Sequence, residues 1–120
     1  MSAVITKNRV KEEIAMRDAY CSTLIELAQK DDRIVVLDAD LMKSMGMVPF
    51  QKAFPGRTFD VGVQEANMIG VAAGLSATGK IPFAHSFAPF ATRRCFDQIF
   101  LSCGYARLNV RITGSDPGIT

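Results

Sequence analysis

Apolar residues recur at Ala15, Ala19, Leu24, Leu27 and Ala28 with polar residues between them. That spacing predicts an amphipathic helix from about Lys11 to Lys30, ended by Asp31-Asp32. The rhythm then changes. RIVVLDAD, residues 33–40, is a continuous Val/Leu run, the pattern of a strand buried on both faces. A short helix over Val48–Ala53 stops at Phe54-Pro55-Gly56, where proline and glycine punctuate the chain. RTFDVGV, residues 57–63, is strand-like. Glu65 to Ala77 carries small and apolar residues on nearly every side, which predicts a helix packed all round, with Gly79 placed to cap it. IPFAHS (81–86) predicts a short strand, Ala91 to Cys103 a further helix, and LNVRIT (108–113) a further strand. Residues 1–8 read as a loose terminus, giving a flexible segment over 1–10 ahead of one domain over 11–120.

Strand and helix thus alternate about four times. Such alternation predicts an α/β fold, a parallel sheet flanked by helices on both faces and joined by right-handed crossovers. The chain stops at GSDPGIT, directly after a strand. The expectation is a domain incomplete at its C-terminus, whose uncovered sheet flank exposes apolar surface.

Composition narrows the class of function. The chain has 120 residues, 48% hydrophobic and 22% charged, with a net charge of +2, which is ordinary for one globular domain. Arg93-Arg94 is the only adjacent basic pair, so no nucleic-acid footprint is indicated. Cys21, Cys95 and Cys103 show neither metal spacing nor a paired framework and read as small core residues of a reducing compartment. The apolar runs are too short to span a membrane. A soluble, cytoplasmic protein is expected.

Familiar catalytic signatures are missing. There is no GxGxxG and no GxxxxGK[ST]. His85 is the only histidine, which excludes a His-rich metal site. A lone histidine near a strand end commonly bonds a backbone carbonyl. In open α/β sheets, ligands bind beyond the carboxyl ends of the strands. The residues there are Asp38, Asp40 and Ser44, then Glu65, then His85, Ser86, Phe87 and Phe90. Each has a plain structural reading. Asp40 suits a turn, Glu65 favours a helix dipole, and the two phenylalanines suit a core. Their convergence on one edge makes that edge the candidate site.

Four blocks, in this order and at this spacing, resemble the pyrimidine-binding domain of transketolase, a thiamine diphosphate enzyme. They are MRDAY at 16–20, LDADLMKS at 37–44, AFPGRTFDVGVQEANMIGVAAGLSATG at 53–79 and SFAPFATRRCFDQI at 86–99. The resemblance implies roles residue by residue. Glu65 matches the glutamate that hydrogen-bonds a ring nitrogen of the aminopyrimidine and promotes ylide formation. Many members have Arg before it and His after; Gln64 and Ala66 stand here. Phe87 and Phe90 match the aromatic pair that stacks on the pyrimidine, and Asp40 an acid near the cofactor and dimer interface. Arg17 and Ser44 match positions that hold the sugar phosphate. His85 has no clear counterpart. Ala66, Gly70, Ala73 and Gly74 would let their helix approach the same region of a partner subunit closely.

In the family, the diphosphate and its Mg²⁺ bind a separate domain through a Gly-Asp-Gly…Asn motif, which this chain lacks. The expected partners are therefore a diphosphate-binding domain or subunit, within a homodimer or heterotetramer, and sugar phosphates. Neither nucleic acid nor membrane is expected. The implied reaction is transfer of a two-carbon ketol unit between sugar phosphates, as in the pentose phosphate pathway. The alternatives are another thiamine diphosphate enzyme, such as deoxyxylulose-phosphate synthase or a 2-oxo acid dehydrogenase β subunit, and a non-catalytic dimerising subunit.

Overall fold

All five residues of β1 (Ile34–Asp38) are buried, as the unbroken Val/Leu run predicts for a central parallel strand. The structure, a computed structural model, describes residues 12–118. The loose terminus expected over 1–8, and the whole of the flexible segment over 1–10, lie outside the described residues. β1 pairs in parallel with β2 (Thr58–Asp60) on one side and with β3 (Ile81–Phe87) on the other. β4 (Arg111–Ser115) adds to β3, also in parallel, giving the order β2-β1-β3-β4.

Helices cover both faces. On one, α1 (Met16–Lys30) and α2 (Val48–Ala53) bury Cys21, Leu24, Ala28 and Phe50 against Ile34 and Val36. On the other, α3 (Glu65–Ala77) and a π-helix over Gln98–Tyr105 pack Met68, Ile69, Ala72 and Cys103 against Val35, Leu37 and Ala84. Gly79 ends α3 as predicted. At φ +90° it lets its own N–H reach the Ser76 carbonyl at 3.0 Å and the Lys80 N–H reach that of Leu75 at 3.1 Å, the Schellman arrangement.

Several expectations need correction. α1 starts at Met16 rather than near Lys11, because its first buried side chain is Cys21 and the preceding Glu12 and Glu13 have nothing to bury. β1 and β2 are shorter than their apolar runs, and Gly62 (φ +73°) turns the chain away after β2. The helix expected over Ala91–Cys103 is three pieces: α4 (Ala88–Thr92), a 3₁₀ turn over Arg93–Cys95, and the π-helix. Its core-facing residues Ala91, Cys95, Ile99 and Cys103 recur every four residues. In a regular α-helix each such step drifts by about 40°, and the wider π turns return the row to the core. β4 is shifted to Arg111–Ser115, because Leu108 and Val110 pack on the core before pairing with β3 begins. α3 is not packed all round. Glu65, Met68, Ile69, Ala72 and Ala73 form one buried stripe, while Gly70, Val71 and Gly74 are exposed. Apolar exposure concentrates on the π-helix layer, at Phe96, Phe100, Leu101 and Tyr105. No helix among the described residues is long and apolar enough to cross a membrane.

Candidate functional site

The carboxyl ends of β1 and β3 carry the site. α4 begins the moment β3 ends, and Pro89 at its second position fits a helix start, where no amide is needed. This tight junction brings Phe87 and Phe90 together, with ring centroids 6.0 Å apart and planes tilted by 52°. Across from them stand Arg17, in the first turn of α1, and Ser44, in the loop after β1. These four residues line one open pocket with Pro89, Asp116 and Gly118. Arg17 Nη1 donates to the Ser44 carbonyl at 3.3 Å, and its side chain is 60% exposed, so the guanidinium is tethered yet open to solvent.

Glu65 is the first residue of α3 and only 3% exposed. A buried carboxylate requires a partner. The structure supplies Arg94, whose Nη1 donates to both carboxylate oxygens at 3.0 Å. The same guanidinium lies 3.8 Å above the centroid of the Phe90 ring. Arg94 thus links the buried acid to the aromatic pair.

A row of polar groups crosses the sheet, fully buried at Asp38 and His85 and half-buried at Thr113. Asp38, His85 and Thr113 are register neighbours across β1, β3 and β4. His85 Nε2 is 3.0 Å from Asp38 Oδ2, both side chains are fully buried, and the contact is ionic in distance without an aligned hydrogen bond. Asp38 Oδ1 accepts from the Leu41 N–H, which fixes the start of the loop that carries Ser44. Tyr20 meets the His85 ring edge-on at 6.2 Å and accepts a hydrogen bond from Thr113 Oγ1 at 3.3 Å. His85 therefore faces a carboxylate, not the backbone carbonyl expected for a lone histidine. Among the described residues Ser86 Oγ and His85 Nδ1 have no hydrogen-bond partner.

Asp40 stands apart. It is exposed, adopts the left-handed conformation (φ 62°) and does not line the pocket. Its N–H donates to Asp60 Oδ1 at 3.0 Å, and the same oxygen accepts from the Gly62 N–H at 2.9 Å. Asp60 so clamps the ends of β1 and β2, a role no local pattern announces. Arg94 and Asp116 are not among the expected site residues: the first falls in a basic pair within the block at 86–99, the second in a Gly/Pro loop. The three cysteines are buried and free, and burial raises each thiol above its ordinary pKa.

A parallel α/β sheet with its polar groups gathered at the strands' carboxyl edge defines a ligand-binding domain of the open-sheet class. The chain belongs to the family described as transketolase, pyrimidine binding domain, which matches residues 12–119. It is 63% identical over 109 residues to the 6-deoxy-6-sulfo-D-fructose transketolase subunit SqwH of Clostridium sp. (strain MSTE9), covering 91% of this chain and 34% of that protein. It is 51% identical over 105 residues to a putative transketolase C-terminal section of Methanocaldococcus jannaschii, covering 88% and 33% respectively. Among solved structures, a split gene transketolase described as an inactive beta4 tetramer superposes with a TM-score of 0.77 at 54% identity, covering 84% of this chain and 34% of that one. The chain spans about a third of the length of these relatives.

Proposed function

We propose that this chain is the pyrimidine-binding part of a transketolase that moves a two-carbon ketol unit between sugars bearing an anionic end, with thiamine diphosphate as cofactor. The observation that carries this reading is Glu65, a carboxylate 3% exposed whose charge reaches the face of Phe90 through one side chain. The residues fit the aminopyrimidine. A buried acceptor beside a tilted aromatic pair suits a flat ring that brings its own N–H donor. Glu65 would accept from the ring nitrogen, holding a proton there, while Phe87 and Phe90 orient the ring and keep water from it. Thiamine diphosphate, when bound, supplies the electron sink for breaking and forming the carbon–carbon bond. Its diphosphate and Mg²⁺ belong to a diphosphate-binding partner in a homodimer or heterotetramer, with Asp40 on the partner side. Arg17 and the Ser44 segment hold the substrate's anionic end. The place of action is the cytoplasm.

A second reading concerns that anion. Arg17 shares its pocket with the carboxylate of Asp116. One cation offset by one carboxylate suits a sulfonate monoanion better than a phosphate carrying about −1.5 to −2 charges at neutral pH. The 63% identity to a sulfofructose transketolase subunit favours the same choice. Parallel assays of a 6-sulfonated and a 6-phosphorylated ketose separate the two.

Glu65→Gln tests the main reading. In the complete enzyme, turnover should fall by about 10²–10⁴-fold, and exchange of the cofactor's thiazolium proton should slow comparably by NMR, with the fold intact. A helix-terminal charge alone would cost about 0.3–1 kcal/mol of stability and leave both rates unchanged.

A further inference from the structure

Glu65 and Phe90 offer a ligand two things: a carboxylate acceptor and a flat face. One side chain of the same chain takes both. Arg94 donates Nη1 to the two oxygens of Glu65 at 3.0 Å each and lays its planar guanidinium 3.8 Å over Phe90. A guanidinium is flat, delocalised and rich in N–H donors. It thereby presents the same stacking surface and the same donor edge as an aminopyrimidine. Arg94 is also placed to leave. Its side chain is 50% exposed against 3% for Glu65, and it sits in a short 3₁₀ turn between α4 and the π-helix. Pro89, Phe90 and Arg93 complete an open depression around it, so a displaced guanidinium has solvent to enter.

We propose that Arg94 is an internal competitor for the pyrimidine seat: its guanidinium and the aminopyrimidine ring exclude one another at Glu65 and Phe90, and the cofactor binds only after Arg94 swings out. This rests on the assignment of the seat made above. The apparent affinity for the cofactor is then lowered by the fraction of molecules in which Arg94 is seated. Arg94 acts through Glu65 and Phe90 and is a positioning residue, with no part in the chemical step.

The test is calorimetric titration of thiamine diphosphate with Mg²⁺ into the complete enzyme, wild type against Arg94→Ala and Arg94→Lys. Arg94→Ala should bind about three- to thirtyfold more tightly, a charge-assisted contact discounted for its exposure. Its melting temperature without cofactor should fall, since Glu65 is left unpaired, and the rise on adding cofactor should exceed that of wild type. Arg94→Lys keeps the charge but loses the flat stacking surface, so a smaller gain is expected; it also serves where Arg94→Ala folds poorly. A purely structural ion pair would lower the melting temperature with and without cofactor and never tighten binding. Unchanged or weaker binding by the variants, beside normal binding by wild type, overturns the proposal and leaves the cofactor assignment standing. No binding by the wild-type complete enzyme overturns the assignment itself.

Discussion

Arg17 is held by the loop that follows β1. Gly46, at φ +71°, turns the loop so that a Cβ there would lie 3.3 Å from Arg17 Cγ, and the Ser44 carbonyl accepts from Nη1. The loop thus restrains a long side chain that is otherwise free in solvent. If the guanidinium holds the anionic end of the substrate, Arg17→Ala in the complete enzyme should lower kcat/KM for anionic sugars by roughly ten- to hundredfold, a loss of about 1.5–3 kcal/mol. Equal losses on an uncharged acceptor would remove the assignment. Residues of this kind were legible because they stand in short blocks whose spacing is itself informative: Phe87 and Phe90 are three apart across a proline, and Glu65 opens an apolar run. Arg94 was not, because its partner lies 29 residues away in the chain and only the tertiary fold joins them. The Asp38–His85 contact was hidden for the same reason, two strands meeting in register with 46 residues between their starts left to the fold to close.

Elements were legible wherever burial alone decides them. β1 needs two apolar faces and shows an unbroken run, while Val48–Ala53 is bounded by Pro55 and agrees with its expected limits. The single helix expected over Ala91–Cys103 is instead three pieces between Ala88 and Tyr105, since the four-residue repeat looks helical and its re-phasing depends on what it packs against. Within it, the junction of α4 with β4 is tight. A Cβ on Gly114 would lie 2.8 Å from Ala88 Cα and 3.0 Å from Ala88 Cβ, so backbone would have to move. Ala88 is flanked by Phe87, and Asp116 and Gly118 follow β4 into the same pocket. Gly114→Ala should therefore cost about 1–3 kcal/mol in denaturant unfolding, the range for overpacking, and also weaken cofactor binding through the displaced aromatic pair. An unchanged midpoint would mean that α4 yields freely and does not fix the pocket.

At the scale of the molecule, α3 divides the chain's work between two directions. Its buried stripe runs from Glu65 to Ala73 and carries the candidate acid inward, while Gly70 and Gly74 face outward with no described residue within 4 Å of where a Cβ would stand. Glycine inside a helix is unfavourable by about 0.5–1 kcal/mol relative to alanine, and no contact among the described residues offsets that cost at either position. Close approach of the same helix in a second subunit would offset it, because only a bare backbone lets two helices meet at short range. The neighbouring π-helix layer supplies apolar area for such a contact through Phe96, Phe100 and Leu101. The double substitution Gly70→Ala with Gly74→Ala separates the two demands. In the dissociated protomer it should raise unfolding stability, by up to about 1–2 kcal/mol for the pair. In the assembly the two added methyls should weaken subunit association by about tenfold or more, as read by sedimentation of the full gene product across a dilution series. Higher protomer stability with association undiminished would show that this face meets solvent, and would leave the exposed phenylalanines to be covered in another way.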